Sequence, residues 1–133
     1  MTLSDSWLSG FTDSEGCFSA SISKSSKGFK YIFDITQKNS VNKPILTKLH
    51  YLFKVGYIYK HDVYDTFTYR VGGLRNCEVL FKYFDNFPLK TKKLKSYIIW
   101  KDLHKKLTDK NHLNPVLRNS LQILASKVNN TWV

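Results

Sequence analysis

The sequence predicts an α+β fold in which helices cover one face of an antiparallel sheet. Residues 17–24 and 29–37 alternate between apolar and polar side chains with a period of two, which is typical of strands with one buried face. A turn separates them, so they form a hairpin. Residues 57–61 and 66–71 predict a second hairpin. Because each strand has only one apolar face, the helical segments between and after the hairpins are expected to cover it.

Helical segments precede and separate the two hairpins. Residues 4–12 predict a short helix whose first turn is capped by Ser4 or Asp5. A second helix is expected to have Pro44 in its first turn, where a missing N–H costs little. Gly56 ends this helix. The order is therefore helix, hairpin, helix, hairpin.

The last part of the chain predicts three more helices. The first covers residues 75–84, turns Val79, Leu80 and Phe84 inward, and ends before Pro88. The second covers residues 91–107. The third starts at residues 114–115, and its apolar stripe consists of Leu117, Leu121, Leu124 and Val128.

The composition points to one folded domain with a polyanionic partner. The chain of 133 residues is 42% hydrophobic, so residues 1–133 are interpreted as a single domain. It has 21 Lys and Arg against 10 Asp and Glu, a formal charge of +11, which favours nucleic acid. An anionic membrane is the alternative, but the basic residues are spread over many elements rather than one amphipathic helix.

The sequence does not support a disulfide-rich, zinc-binding, secreted or membrane protein. Two distant cysteines predict neither a disulfide framework nor a zinc site. No signal peptide or bilayer-length apolar run is present, so the chain is expected to be intracellular, with no membrane partner. No small-molecule substrate is expected either.

One segment, residues 7–18, combines small residues with acids. Ser9 and Gly10 would allow two helix backbones to approach closely. Asp13 and Glu15 follow, and Gly16 would let a bulky partner come near the second acid. An acid on a basic surface would repel phosphate unless it holds a cation, and hard cations prefer carboxylate oxygens.

Residues 8–16 resemble the LAGLIDADG signature of homing endonucleases, position by position. Residues 36–38, 72–76 and 88–93 are also similar to segments of that family, and the resemblance extends over most of residues 3–107. It implies an αββαββα fold with a DNA-binding antiparallel sheet. One departure is Val41, which is neutral where the family often has a basic residue.

The resemblance also implies a set of site residues. Glu15, Gln37 and Lys92 would be catalytic, with Lys90 as the competitor for the lysine role. The Glu15 carboxylate and the backbone carbonyl of Ser14 would hold the metal. Mg²⁺ is the expected ion, Mn²⁺ is expected to substitute for it, and Ca²⁺ is expected to bind without supporting cleavage.

Cutting two strands requires two copies of the motif, and this chain has one. The resemblance therefore implies a homodimer in which residues 1–16 form the motif helix at the two-fold interface. Asp13 would cap the partner helix. The interface residues would be Trp7, Leu8, Gly10, Phe11 and Asp13. Alternatively, the chain is one half of a larger two-motif protein. Residues 108–133, which match no motif, are interpreted as a C-terminal helical extension.

DNA would be read by the polar faces of the strands, with Arg70 pairing with guanine and Asp34 accepting from cytosine. Lysines such as Lys24 and those in residues 90–95 would contact phosphates. The full set of expected DNA contacts is Ser19, Ser21, Ser23, Lys24, Lys30, Ile32, Asp34, Lys38, Tyr59, His61, Thr68, Arg70 and Lys90.

These expectations combine into one function with two alternatives. The chain is expected to be an intron-encoded homing endonuclease that cuts double-stranded DNA at a pseudopalindromic site as a homodimer. The same fold would also suit an RNA-binding intron maturase or a catalytically inactive DNA-binding protein. An organelle, mitochondrion or chloroplast, is the expected location.

Overall fold

The computed structural model describes residues 2–24, 27–62 and 64–128. It confirms the α+β architecture. The helices are α1 (Trp7–Glu15), α2 (Lys43–Phe53), α3 (Leu74–Asn86), α4 (Lys93–Thr108) and α5 (Pro115–Ser126). The strands are β1 (Gly16–Ile22), β2 (Phe29–Lys38), β3 (Tyr57–Lys60) and β4 (Thr66–Gly72). Single 3₁₀ turns lie at Ser40–Asn42 and Asn111–Leu113.

The four strands form one antiparallel sheet in the order β1-β2-β4-β3. Both predicted hairpins are present, and β4 joins them by pairing with β2. In this register Cys17 pairs with Asp34, Asp34 pairs with Arg70, and Arg70 pairs with Tyr57. This row of four residues crosses the whole sheet on the face turned away from the helices. We call this face the open face.

The other face of the sheet packs against the helices. Phe18, Tyr31 and Phe33 are almost completely buried there. Tyr31 stacks on Trp100 of α4, with ring centroids 4.3 Å apart and an angle of 8° between the planes. The indole N–H of Trp100 also donates to the carbonyl of Ser19 at 3.0 Å, so α4 is fixed to both strands of the first hairpin.

The motif helix is shifted relative to the prediction. We expected residues 4–12, but α1 covers Trp7–Glu15. The helix continues because the N–H of Gly16 still bonds to the carbonyl of Thr12. Asp13 and Glu15 therefore lie within the last turn of α1 and not beyond its end.

Two predicted inward positions are wrong. Val79 is 39% exposed, because the inner stripe of α3 runs through Cys77, Leu80 and Phe84. Leu117 is 42% exposed, since only the second half of α5, around Leu121, reaches the core.

The C-terminal helix α5 belongs to the same packed unit as the sheet. It packs on β1 and α4. The side-chain amide of Gln122 donates to the carbonyl of Ser23, just after β1, at 3.2 Å. Across the described ranges, none of the helices has both the length and the apolar character required to cross a membrane.

Tyr83 of α3 holds the start of the motif helix. Its hydroxyl donates to the carbonyl of Asp5 at 2.7 Å and accepts from the N–H groups of Leu8 and Ser9 at 3.1 and 3.2 Å. These amides belong to the first turn of α1, where N–H groups have no partner within the helix. The predicted local cap is also present, since the carboxylate of Asp5 accepts from the N–H of Trp7 at 3.3 Å, and Tyr83 of another element satisfies the next two amides.

Replacing Tyr83 with phenylalanine is expected to lower the free energy of unfolding by about 1–3 kcal/mol, because two buried N–H groups lose their acceptor. Urea denaturation followed by tryptophan fluorescence measures this change. Tyr51→Phe is the matched control, since Tyr51 is 71% exposed and its variant should unfold like the wild type. Equal stability of the two variants would contradict the capping role of Tyr83.

Candidate active site and nucleic-acid interface

The exposed carboxylate of Glu15 stands at the C-terminal end of α1. Its Oε1 accepts a hydrogen bond from the hydroxyl of Ser14 at 3.4 Å. The last carbonyls of a helix have no donor within the helix, and this end carries the negative pole of the helix dipole. Carboxylate and carbonyl oxygens are the ligands that Mg²⁺ and Ca²⁺ prefer. The donors present thus fit a hard divalent cation.

Gly16 allows the chain to turn sharply from α1 into β1. A Cβ atom on this residue would lie 2.5 Å from the Cγ2 atom of Thr12 and 3.0 Å from its carbonyl oxygen. Neither distance can accommodate a side chain without movement of the junction. The close approach places Glu15 at the edge of the open face, because Cys17 is the first residue of β1 that points to this face.

Asp13 binds the segment that leads into α4. Its carboxylate accepts from the N–H of Lys90 at 3.0 Å, from the N–H of Thr91 at 3.1 Å and from the hydroxyl of Thr91 at 2.6 Å. We expected Asp13 to cap the helix of a partner. Within its own chain Asp13 caps the turn at residues 90–91, which lies directly against the last turn of α1. The cap on a partner helix stays a prediction.

The lysine beside the motif is Lys93, which sequence reasoning missed. Its Nζ donates to the carbonyl of Asp13 at 3.3 Å, and its side chain is half-buried. Lys92, which we expected in this role, is exposed and is the N-cap residue of α4. Lys90 is also exposed, and its backbone, rather than its ammonium group, bonds to Asp13. The ammonium group of Lys93 thus contacts the last turn of α1 directly.

The charge of Lys93 also affects its neighbourhood. Burial raises the pKa of the Cys17 thiol, the charge of Asp34 raises it further, and the charge of Lys93 opposes both. Lys93 is therefore close to the first outward residue of β1, as well as to the end of α1. This position brings a cation to the boundary between the motif helix and the open face.

Gln37 lies at the same end of the sheet as the junction between α1 and β1. Gly16 is paired with Ile35, so Gln37 is two residues beyond the point at which β1 joins α1. Its side-chain amide donates to the carbonyl of Thr36 at 2.9 Å. Val41, the neutral residue noted in the sequence, lies in the following 3₁₀ turn and is 79% exposed.

The spacing of acidic, histidine and cysteine side chains limits where a metal ion could bind. Within residues 2–24, 27–62 and 64–128, no three His, Cys, Asp or Glu side chains come together in a group that could hold a metal. The candidate metal ligands of one chain are thus the Glu15 carboxylate and the carbonyl of Ser14.

A family model described as LAGLIDADG endonuclease matches residues 8–104. The chain belongs to the LAGLIDADG endonuclease family. Among curated relatives, the probable intron-encoded endonuclease Cox1-I1b of Schizosaccharomyces pombe is 37% identical over 117 residues. The match covers 86% of this chain and 30% of that protein.

Solved structures of the family have the same fold. The meganuclease I-AabMI, bound to uncleaved DNA, is 28% identical with a TM-score of 0.85, covering 95% of this chain and 45% of that one. I-SmaMI, bound to an uncleaved DNA target in the presence of calcium ions, is 27% identical with a TM-score of 0.84. That match covers 92% of this chain and 44% of I-SmaMI. The chain thus spans less than half the length of these relatives.

The motif helix of this LAGLIDADG chain has one exposed stripe. Ser6, Gly10 and Ser14 are spaced four residues apart and are all exposed. A Cβ atom added to Gly10 would meet nothing within 4 Å. Trp7 and Phe11 lie beside the stripe, half-buried and stacked with centroids 6.4 Å apart.

One expected interface residue is wrong. Leu8 is completely buried in the core of its own chain, because its side of α1 faces the sheet and α3. Ser9 is buried on the same side, where its hydroxyl donates to the carbonyl of Phe87. These two residues thus offer no surface to a partner helix.

The open face carries most of the expected DNA contacts. Ser19, Ser21, Lys30, Ile32 and Lys38 point to it from β1 and β2, and Tyr59 and His61 from β3 and its end. Ser23 and Lys24 follow the end of β1. Thr68 is also on this face, but it is only 1% exposed. Its hydroxyl bonds to Thr36 and to His61, each at 2.8 Å, so the expectation of a DNA contact by Thr68 is wrong for the structure described.

Asp34 and Arg70 bind each other, although we expected them to contact different bases. The guanidinium Nε and Nη2 donate to Oδ1 and Oδ2 of Asp34, both at 2.8 Å. The hydrogen bond from Asp34 raises the pKa of Arg70 above its usual value. Tyr59 supports the guanidinium group, which lies 5.3 Å from its ring centroid.

Proposed function

We propose that the chain is a metal-dependent endonuclease that binds double-stranded DNA on its open face and hydrolyses phosphodiester bonds in both strands. The observation that carries the proposal is the position of Glu15 where the motif helix meets the open face. The formal charge of +11 supports binding to a polyanion. Solved relatives bound to uncleaved DNA support double-stranded DNA as the partner.

Glu15 and the carbonyl of Ser14 would hold a divalent ion. Bound there, Mg²⁺ would stabilise the negative charge that develops on the attacking water and on the leaving oxygen of the phosphodiester. We expect Mn²⁺ to substitute for it, and Ca²⁺ to support binding without cleavage. The solved relative that holds uncleaved DNA in the presence of calcium ions supports the latter expectation.

The other residues would act directly on the reacting groups. A water molecule attacks the phosphorus atom, and Gln37 orients this water through its side-chain amide. Lys93 takes the role that we first assigned to Lys92, since its ammonium group lies beside the last turn of α1. There it would stabilise the negative charge that develops on the phosphate.

A second motif helix would complete the cutting centre. The exposed stripe of Ser6, Gly10 and Ser14 supports close packing of two such helices, because small side chains permit a short distance between helix axes. We propose a homodimer on a pseudopalindromic site. The chain spans only 44–45% of its solved relatives, so the same contact would also suit a second half within a longer protein.

Analytical ultracentrifugation with and without DNA tests the dimer. Two chains on one full-length site are expected. Gly10→Leu places a large side chain into the exposed stripe without a clash inside its own chain, so this variant is expected to bind as single chains. A wild-type monomer on a full-length site would contradict the homodimer.

Salt dependence tests the open face as the DNA surface. Each phosphate neutralised by a lysine or arginine is expected to contribute a slope of about −0.9 in a plot of log affinity against log salt. Lys30→Ala should make the slope less steep by about 0.9, which corresponds to one phosphate contact. Lys105→Ala, on α4, should leave the slope unchanged. A slope close to zero for the wild type would argue against this surface.

Asp13 is expected to position Lys93 rather than to contact DNA. Asp13→Ala removes the acceptor for the turn at residues 90–91, so the lysine should lose its place beside α1. We expect the single-turnover cleavage rate to fall about 100-fold, as for a displacement of about 1 Å, with DNA affinity unchanged. Glu78→Ala, which removes an exposed acid on α3, is the control. Equal loss of affinity and rate in the Asp13 variant would contradict a positioning role.

The intron-encoded relative in Schizosaccharomyces pombe supports an intron origin for this chain as well. We propose an organelle as its place of action.

A further inference from the structure

We propose that Asp34 and Arg70 form one reading unit for guanine, in which Arg70 contacts the base and Asp34 is a positioning residue. The inference rests on the proposed function, since it assigns one base contact to the open face as the DNA-binding surface. It replaces the expectation that the two residues read different bases. The observations that carry it are the bidentate contact between them and the support of Arg70 by Tyr59.

The geometry of the guanidinium group determines which donors remain. Arginine has five N–H donors in a planar fork. Nε and one N–H of Nη2 are used by Asp34. The second N–H of Nη2 and an N–H of Nη1 then point the same way along the neighbouring, end-on edge of the group. Two parallel donors of this kind match O6 and N7 of guanine in the major groove.

The same contact makes Asp34 a weaker reader of cytosine. Oδ1 and Oδ2 of Asp34 each accept a hydrogen bond from Arg70. The amino group of cytosine would have to share an acceptor whose charge is already paired with Arg70 in charge-assisted bonds, which are about twice as strong as neutral ones. Pairing also offsets the negative charge of Asp34, which would otherwise repel phosphate.

The surroundings hold Arg70 in a fixed orientation before DNA arrives. The guanidinium group lies over the ring of Tyr59, and this ring stacks on His61 with centroids 5.2 Å apart. His61 in turn bonds to the hydroxyl of buried Thr68 at 2.8 Å. A side chain that is already oriented loses less conformational entropy on binding.

Arg70 also remains accessible to a base. The side chain of Arg70 is 31% exposed and that of Asp34 is 20% exposed. In the row across the sheet they lie between Cys17 and Tyr57, so both residues belong to the open face.

Selection of bound duplexes from a randomised library, with the full chain in Ca²⁺, tests the inference. The wild type is expected to select guanine at one position in each half-site. Arg70→Ala should abolish this preference alone, and Asp34→Ala should weaken it while Arg70 is still present. On the selected site, replacing guanine by another base should reduce wild-type affinity about 10- to 100-fold. The same replacement of guanine should not change the DNA affinity of the Arg70→Ala variant.

Two controls separate base reading from general effects. Glu78→Ala changes the net charge as Asp34→Ala does, but on α3, so its base preferences should equal those of the wild type. Replacing the selected guanine by 7-deazaguanine removes the N7 acceptor, and this should weaken wild-type binding but not binding by Arg70→Ala. Melting temperatures and affinity for a non-specific duplex identify variants that fail to fold.

The possible outcomes distinguish this inference from the proposed function. If the wild type binds DNA and Arg70→Ala keeps every base preference, the guanine unit is wrong and the endonuclease proposal stands. If Asp34→Ala alone loses a preference for cytosine, Asp34 reads a base and is not a positioning residue. If the wild type binds no duplex, the proposed function fails, and the inference fails with it.

Discussion

Replacing Glu15 with glutamine is expected to abolish DNA cleavage and to leave DNA affinity almost unchanged. Glutamine has nearly the same shape but no negative charge, so the ligand that would hold the cation at the end of α1 is lost. We expect the single-turnover rate to fall by a factor of about 1,000 or more, as for the loss of a major electrostatic contribution. Cleavage of a plasmid that carries the selected site, together with gel-shift affinity in Ca²⁺, measures both quantities.

Mixed dimers of wild-type and Glu15→Gln chains provide the sharper form of this test. If each Glu15 serves one strand or both must act together, the mixture should give nicked or uncut plasmid where wild type alone gives linear DNA. Glu78→Gln, an exposed acid on α3, is the matched control and should cut normally. Full double-strand cutting by the Glu15→Gln protein alone would contradict the role of this residue.

Replacing Lys93 with methionine is expected to reduce the cleavage rate about 100- to 1,000-fold, whereas Lys92→Met should have little effect. The difference follows from the structure, because the Nζ of Lys93 bonds to the carbonyl of Asp13, while Lys92 is exposed at the start of α4. Methionine keeps the length of the side chain and removes the charge that would stabilise the developing negative phosphate.

The two lysine variants differ by one position and carry the same change of charge. Each is therefore the control for the other in DNA affinity, salt dependence and melting temperature. If Lys92→Met loses cleavage and Lys93→Met retains it, the assignment from the sequence was correct and the one from the structure is wrong.

The strands were predictable because alternation along a chain directly records which face of a sheet is buried. Phe18 and Phe33 belong to such patterns, and both are in the core. The end of α1 was not predictable in this way. It depends on the hydrogen bond from Gly16 to Thr12. The start of α1 depends in turn on the hydroxyl of Tyr83, which reaches the helix from a distant part of the sequence.

The site could be predicted only where local sequence determines position. Glu15 was identified from a continuous motif. The proposed role of Lys93 did not follow from the sequence, because neighbouring lysines look equivalent there. Only the structure shows that the Nζ of Lys93 bonds to the carbonyl of Asp13. Asp34 and Arg70 were assigned to different bases because the pairing of β2 with β4 joins strands that are not consecutive in the chain.

We propose above all that this chain cuts DNA at the end of its motif helix with a divalent cation. Incubation of the full chain with a randomised duplex library in Mg²⁺, compared with Ca²⁺, tests it most directly. We predict that in Mg²⁺ a small set of related sequences is cut in both strands, and that in Ca²⁺ the same sequences are bound without cleavage. Binding with no cleavage in Mg²⁺ or Mn²⁺ would contradict the claim.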